Sequence, residues 1–122
     1  VIHRRPPIGG KGKAEALNSA IDIAAYPYLA VFDADNQPES KSLKYLAVQF
    51  LMNPKLGAAI GKFRTINKRK NLLTRFINIE GLSFQWIVQA GRWRMLRLAT
   101  LPGTNFIVRK DVLAEVGPWD QF

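Results

Sequence analysis

The chain has 122 residues and 48% hydrophobic content, enough for one globular domain, or a piece of one, with a sizeable core. Cysteine is absent, which excludes a disulfide framework and any thiolate metal site. Eighteen Lys and Arg face nine Asp and Glu, a formal charge of +9, so the surface seeks anions: nucleic acid, acidic headgroups or a phosphorylated substrate. No apolar run reaches the roughly 18 residues that a membrane-spanning helix needs. The opening Val1-Ile2-His3-Arg4-Arg5 lacks the apolar centre of a signal peptide. The abrupt start, and an end soon after Gly117-Pro118-Trp119-Asp120, lead us to expect an excerpt of a longer chain.

In chain order, Val1 to Arg4 is expected as a short strand. Pro6 to Gly12 is a loop by composition. Lys13 to Ala25 reads as a helix, because Ala14, Leu17, Ile21 and Ala24 make one apolar stripe before Pro27 stops it. Tyr28 to Phe32 is a short apolar run of the kind that forms buried strands. Glu39 to Met52 is the next helix, with Leu43, Leu46, Val48 and Phe50 on its apolar side and Asn53-Pro54 ending it. Leu56 to Ile66 alternates like a strand. Asn71 to Leu98 reads as one long helix or two, with a break expected at Gly81 or Gly91. Leu101 to Arg109 is loop then strand. Asp111 to Val116 is a short helix closed by Gly117-Pro118. Alternating strands and helices predict an α/β fold with a mostly parallel sheet flanked by helices.

The segment Val31-Phe32-Asp33-Ala34-Asp35-Asn36 carries the most chemistry. In open α/β sheets ligands bind at the C-terminal ends of strands. Two carboxylates spaced Asp-x-Asp, where a strand turns into a loop, can reach one cation. Oxygen-only ligation suits hard ions such as Mg²⁺ or Mn²⁺, which take one or two carboxylates plus substrate phosphates. The plainer alternative makes Asp33 a loop residue and Asp35 part of an Asx turn. Upstream, Gly9-Gly10-Lys11-Gly12-Lys13 opens a helix after a strand. Glycines permit close approach to an anion, and the helix start offers unpaired N–H groups. Its spacing fits neither a Walker loop nor a dinucleotide fingerprint, and it can equally be a flexible basic turn. Asn18 reads as a solvated polar position of the helix. Gly103-Thr104-Asn105 is either a simple turn or a place where a ligand comes close. His3, the single histidine, suits neither a catalytic triad nor a zinc site. The stretch Phe76 to Leu98, which follows Arg75, mixes Phe84, Trp86 and Trp93 with Arg92, Arg94 and Arg97. Such a helix either packs on a core with a basic solvated face or lies in a membrane interface. No RNA or DNA motif accompanies it, so nucleic acid is not the expected partner.

Taken together, Gly12-Lys13-Ala14-Glu15-Ala16-Leu17-Asn18, Val31-Phe32-Asp33-Ala34-Asp35 and Gly103-Thr104-Asn105-Phe106-Ile107-Val108-Arg109 resemble the processive family 2 glycosyltransferases. That group includes the cellulose, hyaluronan and poly-N-acetylglucosamine synthases. The resemblance spans nearly the whole chain, with three motifs in the same order. It implies a Rossmann-like GT-A fold, a UDP-sugar donor, a growing polysaccharide as acceptor and Mg²⁺ or Mn²⁺ as cofactor. It assigns Asp33 and Asp35 to the metal and donor diphosphate, Lys13 to the donor, and Gly103 and Thr104 to a loop near the acceptor. It implies work at the cytoplasmic face of the cell membrane, with residues 71–98 against that surface.

By the same resemblance, residues 1–122 are the central part of one catalytic domain. The first strands would precede Val1, and the Thr-Glu-Asp motif with the general base would follow Phe122. No catalytic base is then expected within the chain, which alone should be inactive. Gln89-Ala90-Gly91-Arg92-Trp93 imitates the family's Gln-x-x-Arg-Trp motif but precedes the Gly103 loop, the wrong order, and is rejected. The competing classes are a basic module binding nucleic acid or anionic membrane, and a phosphoryl or nucleotidyl transferase, which would also use Asp-x-Asp.

Overall fold

A computed structural model describes residues 12–120. The expected strand at Val1 to Arg4, His3 and most of the glycine-rich loop lie outside these residues. The described elements are α1 (Lys13–Ile23), β1 (Tyr28–Val31), α2 (Ser42–Met52), β2 (Ala58–Ile60), α3 (Leu72–Ser83), a π-helical segment (Phe84–Gln89), α4 (Ala90–Leu96), β3 (Phe106–Arg109) and α5 (Lys110–Val116).

The three strands form one sheet in the order β1-β3-β2. β3 is antiparallel to both neighbours, with Val31 and Ile60 each opposite Phe106. The α/β class stands, but the expected mostly parallel sheet does not, among the described residues. The reason is topological. β1, α2 and β2 make a crossover that leaves a gap between two strands pointing the same way. The chain leaves the sheet after Ile60 and returns at the same end, where Gly61 N–H donates to Asn105 O at 2.8 Å. A strand that re-enters where its predecessor left must run backwards. An added Cβ at Gly61 would lie 2.4 Å from the Asn105 side-chain amide, which would have to turn aside.

β3 is buried on both faces. Phe106 and Val108 pack with Val31 on one face, against Leu17 of α1, Leu113 of α5 and Trp119. Ile107 points the other way and packs with Ala59, Leu46 and Phe50 beneath α2. The uninterrupted Phe-Ile-Val run is the sequence trace of that double burial. On α1 the predicted stripe of Ala14, Leu17, Ile21 and Ala24 is half-buried. On α2, Leu46 and Phe50 face the sheet as an i, i+4 pair, whereas Leu43 is exposed. At the far end of β3 Arg109 forks onto Asp111, and this hydrogen bond holds the Asp111 carboxyl below the usual aspartate range. A depressed carboxyl contributes stability above its unfolded pKa and loses it as pH falls through the folded value.

β2 is much shorter than the expected Leu56 to Ile66. Its ladder ends where β3 begins, at Phe106, just after Asn105, which takes a positive φ of 57°. Further along, the Gln85 side chain replaces a neighbouring strand. Its Oε1 accepts from Phe63 N–H at 2.5 Å and its Nε2 donates to Phe63 O at 3.2 Å. The long helix starts with a capping box, in which Asn71 Oδ1 accepts from Thr74 N–H and Thr74 Oγ1 accepts from Asn71 N–H. It does not break at Gly81 or Gly91. It widens into the π-helical segment instead. Gln85 Nε2 also donates to Gly81 O at 3.0 Å, the carbonyl that an α-helical Gln85 N–H would use. Competition for that acceptor favours a wider turn.

Phe106→Ala should cost about 3–5 kcal/mol, because the side chain is 1% exposed at the centre of the sheet. Urea unfolding of the purified chain reads this as a lower midpoint with an unchanged slope.

Candidate functional site

The site forms at the C-terminal end of β1. The strand ends at Val31, and Asp33 O accepts from Asn36 N–H at 3.1 Å, closing a turn over residues 33–36. Both carboxylates of Asp33-Ala34-Asp35 therefore belong to one turn at a strand end. Asp35 is exposed and Asp33 is half-buried.

Thr104 holds this turn in place. Its Oγ1 accepts from Asp33 N–H at 2.7 Å and from Asn36 Nδ2 at 2.8 Å. The hydroxyl comes from the loop that leads into β3, and β3 pairs with β1, so strand register brings the loop to the turn. Lys13, at the first position of α1, makes an ion pair with Asp33 Oδ1. Gly103 is adjacent: an added Cβ there would lie 3.5 Å from Lys13 Nζ. Lys13, Asp33, Gly103 and Thr104, singled out from separate motifs, thus meet in one place, and Asp35 sits on the same turn.

Two residues have roles that their sequence context did not give away. Asn36 read only as a polar residue after the strand, yet its side chain is half of the Thr104 clasp. Asn18 is not a free solvated position. Its Nδ2 donates to Trp119 O at 2.8 Å and its Oδ1 accepts from Trp119 N–H at 2.9 Å. This pair fastens the Gly117-Pro118-Trp119 segment to α1, while the Trp119 ring lies 6.5 Å from that of Phe106. The only available signal was an amide beside the half-buried stripe of α1.

The Gln89 to Trp93 run has a local task. Gln89 exchanges two hydrogen bonds with the Thr100 backbone, and Arg92 Nη1 donates to Thr100 Oγ1 at 2.9 Å. The Arg97 guanidinium sits 5.4 Å from the Trp93 ring centroid. These contacts fold the chain back after α4.

The donor set fits a hard divalent cation bound together with a phosphorylated ligand. No group of three or more His, Cys, Asp or Glu that could hold a metal exists among the described residues. The turn brings two carboxylates, which is what Mg²⁺ takes when waters and substrate phosphates complete its shell.

Sequence comparison identifies the family. The family model described as "Glycosyl transferase family 2" matches residues 1–117. The chain belongs to glycosyl transferase family 2. It is 48% identical over 120 residues to the "Probable glycosyltransferase YdaM" of Bacillus subtilis strain 168, covering 98% of this chain and 29% of that protein. It is 34% identical over 110 residues to the "Poly-beta-1,6-N-acetyl-D-glucosamine synthase" of Staphylococcus epidermidis, covering 90% of this chain and 26% of the relative. The enzyme of the same name from Staphylococcus aureus strain COL is 32% identical over the same share. The chain thus spans between a quarter and a third of the length of these relatives. No solved structure matches it. Family membership implies the GT-A fold, of which the sheet and its covering helices supply an α/β part.

Thr104→Val should leave Asp33 N–H and the Asn36 amide without their acceptor, at a cost of about 1–3 kcal/mol. Thr104→Ser should keep both bonds. Thermal unfolding together with the amide NMR signal of Asp33 separates the two variants.

Proposed function

We propose that the chain is the donor- and metal-binding part of an inverting glycosyltransferase that moves a sugar from a UDP-sugar to a growing polysaccharide. The observation that carries this reading is the convergence of Lys13, Asp33 and Thr104 at a strand end, in a chain of this family. Asp33 and Asp35 would hold Mg²⁺ or Mn²⁺. When bound, the cation supplies neutralisation of the diphosphate leaving group. Lys13, on a flexible stem beside the turn, adds a positive charge for the diphosphate. Thr104 keeps the Asp33 to Asn36 turn from reorienting as charge develops, so little reorganisation is needed during transfer. Gly103 keeps the loop low where the acceptor would approach. The general base belongs to a motif beyond Phe122, and residues 1–122 form the central part of one catalytic domain.

A polysaccharide acceptor is favoured because relatives over this region carry the name of a poly-N-acetylglucosamine synthase.

The expected readout is loss of Mn²⁺-dependent transfer in Asp35→Ala of the full-length protein. The loss should be about 10²-fold or more, as for removal of other charge-stabilising groups. Asp33→Asn should also be damaging. Near-normal turnover of Asp35→Ala, in a variant with unchanged thermal unfolding, would rule out the metal role.

We also propose that residues 71–98 rest on the cytoplasmic face of a membrane. No described helix is long and apolar enough to cross one. Yet Phe76, Trp86, Ile87 and Met95 are 60%, 59%, 71% and 82% exposed, beside Arg92, Arg94 and Arg97. The core-helix alternative predicted burial of such residues. Aromatic and aliphatic groups can enter an interface that anionic headgroups draw the arginines towards. Co-sedimentation should show binding to vesicles with anionic lipid that weakens at high salt. Binding indifferent to both lipid charge and salt would count against this placement.

A further inference from the structure

Lys13 lies where a divalent cation would have to act. Its ammonium is paired with Asp33 Oδ1, the first carboxylate of the turn, from a helix that begins at that residue. The pair is partly open to solvent, with side-chain exposures of 44% for Lys13 and 37% for Asp33. A second cation brought to the same carboxylate meets the ammonium as a like charge and competes with it for the same oxygens. The lysine stem has four rotatable carbons, so the ammonium can leave without any backbone movement. Gly103 places no side chain in its way.

We propose that Lys13 is a placeholder cation, which occupies Asp33 until the divalent metal arrives and then turns to the nucleotide diphosphate. The proposal rests on the reading of Asp33 and Asp35 as the metal-holding pair. It adds a sign that this reading lacks. A lysine that only assisted the donor, standing clear of Asp33, would burden metal binding without nucleotide far less. A placeholder lysine weakens it. Once a diphosphate is present, the displaced ammonium gains a new partner and the weakening is repaid. Metal and nucleotide therefore bind cooperatively through one side chain, and the coupling must be equal in both directions.

The test is Mn²⁺ binding to the full-length protein, followed by the electron paramagnetic resonance signal of free Mn²⁺, without nucleotide and with UDP. Without nucleotide, Lys13→Met should bind Mn²⁺ about two- to fivefold more tightly than wild type, the range set by a solvent-screened ion pair. Lys13→Arg, which keeps the charge, should stay close to wild type. With Lys13→Met, the factor by which Mn²⁺ raises UDP affinity should shrink. Lys13 is exposed at the start of α1, and Lys13→Gln replaces the methionine variant should that one fail to fold. Unchanged or weaker Mn²⁺ binding by Lys13→Met, while Asp33→Asn abolishes it, overturns the placeholder and leaves the metal site standing. Mn²⁺ binding unaffected by both Asp33→Asn and Asp35→Asn overturns the metal reading itself, and the placeholder with it.

Discussion

Phe106, Ile107 and Val108 can leave water together only if both faces of the sheet are covered, and that requirement organises the rest of the chain. β3 has no solvent-facing side to spare for polar residues, so α2 must lie on one face and α1 with α5 on the other. On α2 only Leu46 and Phe50 are buried against the sheet, while Leu43, Leu51 and Met52 stay exposed. The register of β3 against β1 then decides what happens at the site. Because Phe106 stands opposite Val31, the residues just before Phe106 are brought beside those just after Val31. A one-residue slip would turn Phe106 and Val108 towards α2 and carry Thr104 away from Asp33.

Two kinds of interaction shape the carboxylate turn, and they differ in stiffness. The Thr104 hydroxyl binds one backbone N–H and one side-chain amide in a partly buried setting, where a lost acceptor leaves unsatisfied donors. The Lys13–Asp33 pair is more exposed and screened by water, and pairs of that class contribute little to stability. Position is thus set by the neutral clasp and charge by the mobile pair. That division suits a site that must keep its geometry while its charge changes.

Much of this organisation was legible in local sequence. The stripe of α1 and its stop before Pro27, the strand at Tyr28 and the strand entering Arg109 follow from spacing and breakers, each confined to a few neighbouring residues. Strand direction was not legible. A run of strands and helices predicts parallel neighbours when each crossover returns to the opposite end of the sheet, and nothing between Gly61 and Asn105 announces a return to the same end. The length of β2 was also hidden, because alternation from Leu56 to Ile66 describes the strand's own faces but not whether a partner strand lies alongside. Phe63 pairs with the Gln85 side chain rather than with a backbone. The carboxylate pair was visible, and the structure put Lys13 and Thr104 beside it. The clasp itself joins residues 71 positions apart, a separation that no local pattern encodes. Asn18 shows the same limit, since its partner Trp119 lies 101 positions along the chain.

The meeting of Gly61 with Asn105 has an evolutionary side. Residues 61–105 leave and re-enter the sheet through neighbouring backbone groups, so they act as the loop of an oversized β-hairpin. Loop-closure entropy rises only logarithmically with length, by about 0.6 kcal/mol for each doubling. Helices can therefore be lengthened, shortened or exchanged within this hairpin loop at small thermodynamic cost, while the strands on either side hold Asp33 and Thr104 in register. Variation in the excursion can alter what surrounds the carboxylate turn without rebuilding the sheet beneath it.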